Sequence, residues 1–332
     1  MSFDNKKYHC IKTHNILNYT CMIKDRWRNE FFYKALQKHA SEKIVLDMGA
    51  GTGILSFYAL SHGAKFVYVI ETSKEMSEIA DKILSENFDR SRFKILNLNF
   101  WSDNLNEHIN HKIDVLVSET VGPGLFDQGM LYTWHHIKEF ISSDFISIPD
   151  TLSINLWSWE QSPDENIQFE EPVGNTTISE YEVIDKNFFL SLIKFDKLLS
   201  KKLPIPLDSF LEDKKIQINR WVNLNHIPIQ SKKVIENIFH YNFNNIPNML
   251  LESKPKIEKE FDFYPNTNVA LVNKISFENE TLYLNDAKYM PWKFSPFFEI
   301  YEEGTYLLKY INFNYGHMEK DWILVDKIRN AY

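Results

Sequence analysis

Between residues 40 and 160, short apolar runs alternate with stretches patterned as helices. The runs at 44–48, 66–70, 93–98 and 115–117 are continuously apolar or nearly so, the pattern of short strands buried on both faces. Between the second and third, Met76, Ile79, Ala80, Ile83 and Leu84 recur at i, i+3, i+4, i+7, which predicts a helix with one apolar face. Thr72 and Glu75 have capping-box spacing at its start. A further helix is predicted over 54–60. Strand–helix–strand repetition at this spacing predicts a parallel, doubly wound sheet whose ligands sit at the carboxyl ends of its strands.

After residue 149 the pattern changes. Eleven of the twelve prolines lie from Pro149 onward, so the second half should be richer in turns and sheet edges. Residues 151–159 alternate, with Leu152, Ile154 and Leu156 on one face, and 269–275, 281–284, 305–313 and 323–325 read as further strands. This half is expected to be a mostly antiparallel sheet or barrel. The exception is 186–200, where Phe188, Phe189, Leu192, Ile193, Phe195, Leu198 and Leu199 sit at helical spacing. That stripe is wider than one surface helix needs, so it is either core or a partner-binding face.

Composition narrows the class. A chain of 332 residues with 15% aromatics and no low-complexity tract suggests two globular domains. A net charge of −8 argues against a general nucleic-acid or anionic-membrane binder. Two cysteines, Cys10 and Cys21, make no disulfide framework, and neither a leader-like stretch nor an 18-residue apolar run is present. The expected setting is the cytoplasm. His135 and His136 lack metal-ligand spacing, so no metal is expected.

Glycine is scarce, with 10 residues, about 3% against a usual ~7%. Six of the ten fall within 49–53 and 122–129. The first cluster, Ile44-Val-Leu-Asp-Met-Gly-Ala-Gly-Thr-Gly53, is a strand running into a glycine turn and a helix. A dinucleotide fingerprint would place its third glycine one residue later. With Asp47 before the first glycine, the spacing resembles class I S-adenosylmethionine-dependent methyltransferases. In them Gly49, Gly51 and Gly53 would let the backbone approach the cofactor. Glu71 ends the next strand, 22 residues after Gly49, where an acid can accept hydrogen bonds from ribose hydroxyls.

The second cluster follows the fourth strand: Ser118-Glu119-Thr-Val-Gly122-Pro-Gly124-Leu-Phe-Asp127-Gln128-Gly129-Met130. Here the chain resembles the protein arginine methyltransferase family, and the resemblance runs over nearly its whole length. The family signature is a loop with two glutamates nine residues apart that clamp the substrate guanidinium. Glu119 matches the first, whereas the second position is Gln128. The resemblance implies further roles. Arg28, in Met22-Ile-Lys-Asp25-Arg-Trp-Arg28, would pair with the cofactor carboxylate, and Tyr19 would cover the cofactor. Met22 and Met130 would crowd the substrate pocket, although core packing is the equal alternative for both. Trp101, beside Phe100, stands where an acid would contact adenine, which implies stacking or a plain core role. Trp292 is kept from the family's Thr-His-Trp loop, but the histidine position is Pro291, and so a tie to Asp25 is lost.

The implied architecture is a Rossmann-like methyltransferase domain followed by a β-barrel, with a helical arm mediating a homodimer. The expected divisions are N-terminal cofactor-covering helices over 1–40, a cofactor domain over 41–149, and a barrel-like substrate domain over 150–332 with its arm at about 181–206. The implied reaction is methyl transfer from S-adenosylmethionine to a guanidino nitrogen of arginine. A guanidinium stays charged and poorly nucleophilic at neutral pH, so a carboxylate must hold its fork while proximity supplies rate. Gln128 keeps an acceptor oxygen without the charge, and Asp127 beside it could restore that charge. The departures leave three readings: a slow or monomethylating enzyme on protein arginine, an enzyme for free arginine or another small guanidino compound, or a catalytically silent binding protein.

Overall fold

The computed structural model describes residues 19, 22–99, 105–121, 137–160, 184–194, 221–223, 233–243, 258–283, 294–310 and 322–329. In chain order, its helices are α1 (Arg26–His39), α2 (Ile54–Ser61), α3 (Lys74–Asn87) and α4 (Lys186–Lys194). All four expected strands of the first half form: β1 (Ile44–Met48), β2 (Phe66–Ile70), β3 (Phe93–Leu96) and β4 (Ile113–Val117). A fifth, β5 (Ile141–Ile148), completes the sheet. All neighbours are parallel, in the order β3-β2-β1-β4-β5. The order reverses between β1 and β4, where Asp47 pairs with Val117, so the two strands end level with each other. A crevice at such a reversal is the general ligand position of doubly wound sheets.

Local differences from the sequence reading have physical causes. β3 ends at Leu96 rather than 98, because Asn97 donates through Nδ2 to the carbonyls of Glu71 and Thr72 and turns the chain away from the ladder. The cap of α3 is Ser73, whose Oγ accepts from the Met76 N–H at 3.3 Å, and not Thr72. Met76, Ile79, Ala80, Ile83 and Leu84 are all buried, as their spacing predicted.

The second half contains β6 (Thr151–Glu160), β7 (Trp221–Asn223), β8 (Lys233–Asn242), β9 (Glu258–Phe263), β10 (Thr267–Phe277), β11 (Glu280–Tyr283), β12 (Phe294–Ile300), β13 (Gly304–Tyr310) and β14 (Trp322–Arg329). Its pairings are antiparallel. One sheet runs β7-β12-β10-β6-β8 with β11 on β10, and another runs β14-β13-β9. β6 differs from the one-sided strand that its alternation predicts: Leu152, Ile154 and Leu156 join the main core, while Trp157 and Trp159 pack with Ala270 and Val272 in a second cluster. Both of its faces are covered.

Among the described residues, contacts in two places fasten the halves. Glu278, in the β10–β11 turn, accepts from Lys38 Nζ at 2.6 Å and meets His39 Nε2 at 2.9 Å, at the end of α1. In addition, α4 lies on α2 and α3. Phe188 meets Phe57 edge-on at 5.2 Å, and Asn87 Nδ2 donates to Ser191 Oγ at 2.7 Å. Phe188 and Leu192 are thereby core residues of this chain. Residues 195–200 of the predicted stripe lie outside the described residues. Among the described residues, no helix is long and apolar enough to cross a membrane.

Candidate active site

The site is built where β1 and β4 end. Gly49, Gly51 and Gly53 all adopt left-handed backbone, with φ of 76°, 57° and 80°. A turn this tight carries no side chain cheaply. The space above these glycines is taken by the protein's own groups. A Cβ on Gly49 would lie 2.5 Å from Thr120 Cγ2, one on Gly51 2.5 Å from Tyr19 Cε1, and one on Gly53 3.0 Å from Ala80 Cβ. The turn therefore admits β4's continuation, the N-terminal tyrosine and α3 as close neighbours. Gly51→Ala combines left-handed strain of about 1–2 kcal/mol with displacement of the Tyr19 ring. It should lower the denaturation midpoint, and an unchanged midpoint would contradict this packing.

Three buried acids surround the turn. Asp47 Oδ2 accepts from the Ser56 N–H at 2.9 Å and the Ser56 hydroxyl at 2.6 Å, whereas Oδ1 is buried with no hydrogen-bond partner among the described residues. Burial pushes its carboxyl up to about 7 against the Ser56 bonds. Glu71 accepts from the Gly51 N–H through Oε2 and from the Ser73 N–H through Oε1, both at 2.7 Å. It fixes the glycine turn to the start of α3, and burial holds its carboxyl above the usual range. Glu119, beyond the end of β4, is buried as well, and burial raises its carboxyl against the opposing pull of Arg28.

Arg28 comes from the first turn of α1, whose N-cap Asp25 accepts the Arg28 N–H at 3.1 Å. Its Nε and Nη2 both donate to Glu119 Oε2, at 2.9 and 2.7 Å, and neither side chain is more than 5% exposed. Nη1 donates to Asn29 Oδ1 at 2.9 Å. Glu119 is thus a demonstrated guanidinium acceptor, and its Oε1 takes no hydrogen bond among the described residues. Ser118 ties the strand ends together through Oγ to the Met48 carbonyl at 2.7 Å.

Residues 11–116 match a family described as "Conserved hypothetical protein 95". The chain is 39% identical to protein arginine N-methyltransferase 9 of Xenopus laevis over 117 residues, 35% of this chain and 14% of that protein. It is 27% identical to protein arginine N-methyltransferase 7 of Rattus norvegicus over 162 residues, 43% of this chain and 23% of that protein. Likeness of fold extends further. A crystal structure of PRMT6 superposes with a TM-score of 0.60 at 15% identity, covering 92% of this chain and 96% of that one. The Trypanosoma brucei PRMT1 enzyme–prozyme heterotetrameric complex with AdoHcy gives 0.55 at 18% identity, covering 88% and 86%. Over about 35–43% of its length, then, the chain is similar to protein arginine N-methyltransferases.

The parallel sheet β3-β2-β1-β4-β5 is Rossmann-like, in keeping with the likeness of fold to these structures. The chain spans between about a seventh and a quarter of the length of the curated relatives named above. Of the residues singled out from the family pattern, Tyr19, Arg28, Asp47, the three glycines, Glu71 and Glu119 converge around one turn. Met22 is half-buried against the same core and offers its carbonyl to Asn29. Phe100, Trp101, Asp127, Gln128, Met130 and Trp292 lie outside the described residues, as do His135 and His136. Three participants were missed by the sequence reading. Asn29 directly follows Arg28 and Thr120 directly follows Glu119, so adjacency was the available signal. Ser56 had none beyond its place in the first turn of α2.

Proposed function

We propose that this chain is an S-adenosylmethionine-dependent N-methyltransferase acting on the guanidino group of arginine in a protein or peptide. The observation that carries the reading is Glu119. It is a buried carboxylate at the strand-order reversal that already holds one guanidinium on Oε2 and, among the described residues, accepts no hydrogen bond on Oε1. An acceptor guanidinium brought to that oxygen would meet a charged partner in a site closed to water, where such hydrogen bonds are strongest.

The residues present fit the cofactor. Asp47 Oδ1 is an orphaned buried acceptor at the turn, suited to a donor or cationic group. Glu71 holds the turn and, as a carboxylate with about four acceptor positions, can accept further hydroxyl donors. Of the five Arg28 N–H groups, three are used by Glu119 and Asn29 among the described residues, leaving one on Nη1 and one on Nη2 for a carboxylate. Tyr19 covers the turn. When bound, S-adenosylmethionine supplies an electrophilic methyl group, and this chain's own part is to orient the acceptor nitrogen and screen it from water. Met22, Met130 and Trp292 are proposed to line the acceptor pocket, with Asp127 and Gln128 completing the clamp. Phe100 and Trp101 are proposed beside the adenine.

The proposed organisation is cofactor-covering helices over 1–40, the cofactor domain over 41–149, and a substrate domain over 150–332 in which the antiparallel sheets close as a β-barrel. A homodimer working in the cytoplasm, with an arm at about 181–206, completes the proposal. The low cysteine content supports the compartment, and the fold likeness over most of the chain supports the barrel. Incubation with methyl-labelled cofactor and either an arginine-rich peptide or free arginine tests the reaction. Label in the peptide is expected. Label in free arginine alone would re-assign the substrate, and label in neither would leave a silent binding protein.

A further inference from the structure

We infer that Asn29 is a positioning residue that sets the Arg28 guanidinium on Glu119 and holds the preceding segment over the site. The inference rests on the methyltransferase reading above.

Asn29 lies in the first turn of α1 and is fully buried. Its backbone N–H is already used by the Asp25 carbonyl at 2.9 Å, so the side chain is not needed to cap the helix. Instead the amide makes three hydrogen bonds in two directions. Oδ1 accepts from Arg28 Nη1 at 2.9 Å, while Nδ2 donates to the carbonyls of Met22 at 3.1 Å and Ile23 at 2.7 Å. The amide has one possible orientation, because a guanidinium only donates and carbonyls only accept. Aspartate has the same shape but no donors. Alanine has neither donors nor an acceptor.

The consequence falls on Arg28. Glu119 Oε2 holds the Nε–Nη2 side of the guanidinium, and a single oxygen leaves the plane free to pivot. Asn29 holds Nη1, and this second fixed point limits the pivot. The remaining N–H groups, one on Nη1 and one on Nη2, are then held in a fixed plane for a carboxylate. The same amide anchors the carbonyls of Met22 and Ile23, so the residues leading from Met22 into α1 keep register with the guanidinium. One side chain therefore couples the cover, the cofactor-facing arginine and the clamp glutamate.

The test measures S-adenosylhomocysteine binding by calorimetry, thermal midpoint, and the acceptor KM and kcat, using the whole chain. The variants are Asn29→Ala, the near-isosteric Asn29→Asp, and Asn87→Ala. Asn87 is a comparable amide bonded to the Ile83 carbonyl and Ser191 Oγ, away from the site. Both Asn29 variants should weaken binding about tenfold or more, the scale of one hydrogen bond to a charged group, and should lower kcat more than they raise the acceptor KM. Asn87→Ala should lower the midpoint while binding stays within about twofold, the size of a neutral surface change. Wild-type binding with unchanged affinity in Asn29→Asp overturns the positioning role alone, and so does an equal loss in Asn87→Ala. Absence of binding in wild type overturns the methyltransferase reading and this inference with it. Should Asn29→Ala fail to fold, the aspartate variant decides.

Discussion

Glu119→Ala is expected to abolish methyl transfer and to destabilise the fold by about 3–5 kcal/mol, the cost of leaving one member of a buried ion pair alone. Both side chains are almost completely enclosed, and Arg28 sends two of its nitrogens to the single oxygen Oε2. Without that carboxylate the guanidinium is charged, buried and short of acceptors, and it cannot escape by deprotonating. Glu119→Gln should separate the two effects. Its carbonyl oxygen still accepts from Arg28, so the loss of stability should be smaller, but the neutral group no longer offers charge to an acceptor guanidinium. Transfer should disappear in both variants. Urea denaturation gives the stabilities and labelled cofactor the activity, and transfer surviving in Glu119→Gln would remove this residue from the clamp. In Arg28→Ala/Glu119→Ala the stability loss should be less than the sum of the single losses, since each single variant strands the other's charge.

Asp47→Asn should change how stability depends on pH, and the sign follows from the direction of the shift. Burial raises the Asp47 carboxyl from its ordinary 3.8 to about 7. Across that interval the folded chain keeps a proton that the unfolded chain has released. The contribution of Asp47 to stability is therefore full below about pH 4 and is lost as pH rises through about 7. Asparagine carries no such proton. Relative to wild type, the variant should gain stability by up to about 1.4 kcal/mol for each pH unit within the window and level off above it. Denaturation curves collected from pH 4 to 8 test this, and parallel profiles for the two proteins would show that the shift is absent.

What was legible in the sequence was whatever is written locally. The glycine turn, the four apolar runs and the single stripe of α3 are each contained within one element, and a buried parallel strand advertises itself by being apolar on both faces. The second half hid more. In β9, Glu260 and Asp262 face away from Phe261 and Phe263 in a strand too short for the alternation to stand out, and in the first half β5 was hidden likewise by Ser142, Ser143 and Asp144 in its middle. The stripe at 186–200 has the same pattern whether it is core or partner surface, and only the packing of Phe188 on Phe57 distinguishes the two for α4. The joining of Arg28 to Glu119 spans 91 residues of sequence. Each was assigned to a different ligand from its local motif, and only the fold reveals that they are bonded to each other. Thr72 lost the cap to Ser73 because adjacent hydroxyls give the same signal one residue apart.

The placement of α4 bears on how the chain comes to be folded in the first place. A ribosome delivers α2 and α3 more than a hundred residues before Phe188 and Leu192 emerge. Until then Phe57 and the flank of α3 around Asn87 lack the cover that α4 gives them, although every strand of the parallel sheet has already been made. The nascent first half is thus a nearly finished sheet with one raw apolar flank, the kind of intermediate that attracts chaperones or other nascent chains. Docking of α4, rather than completion of the sheet, is the event that covers this flank.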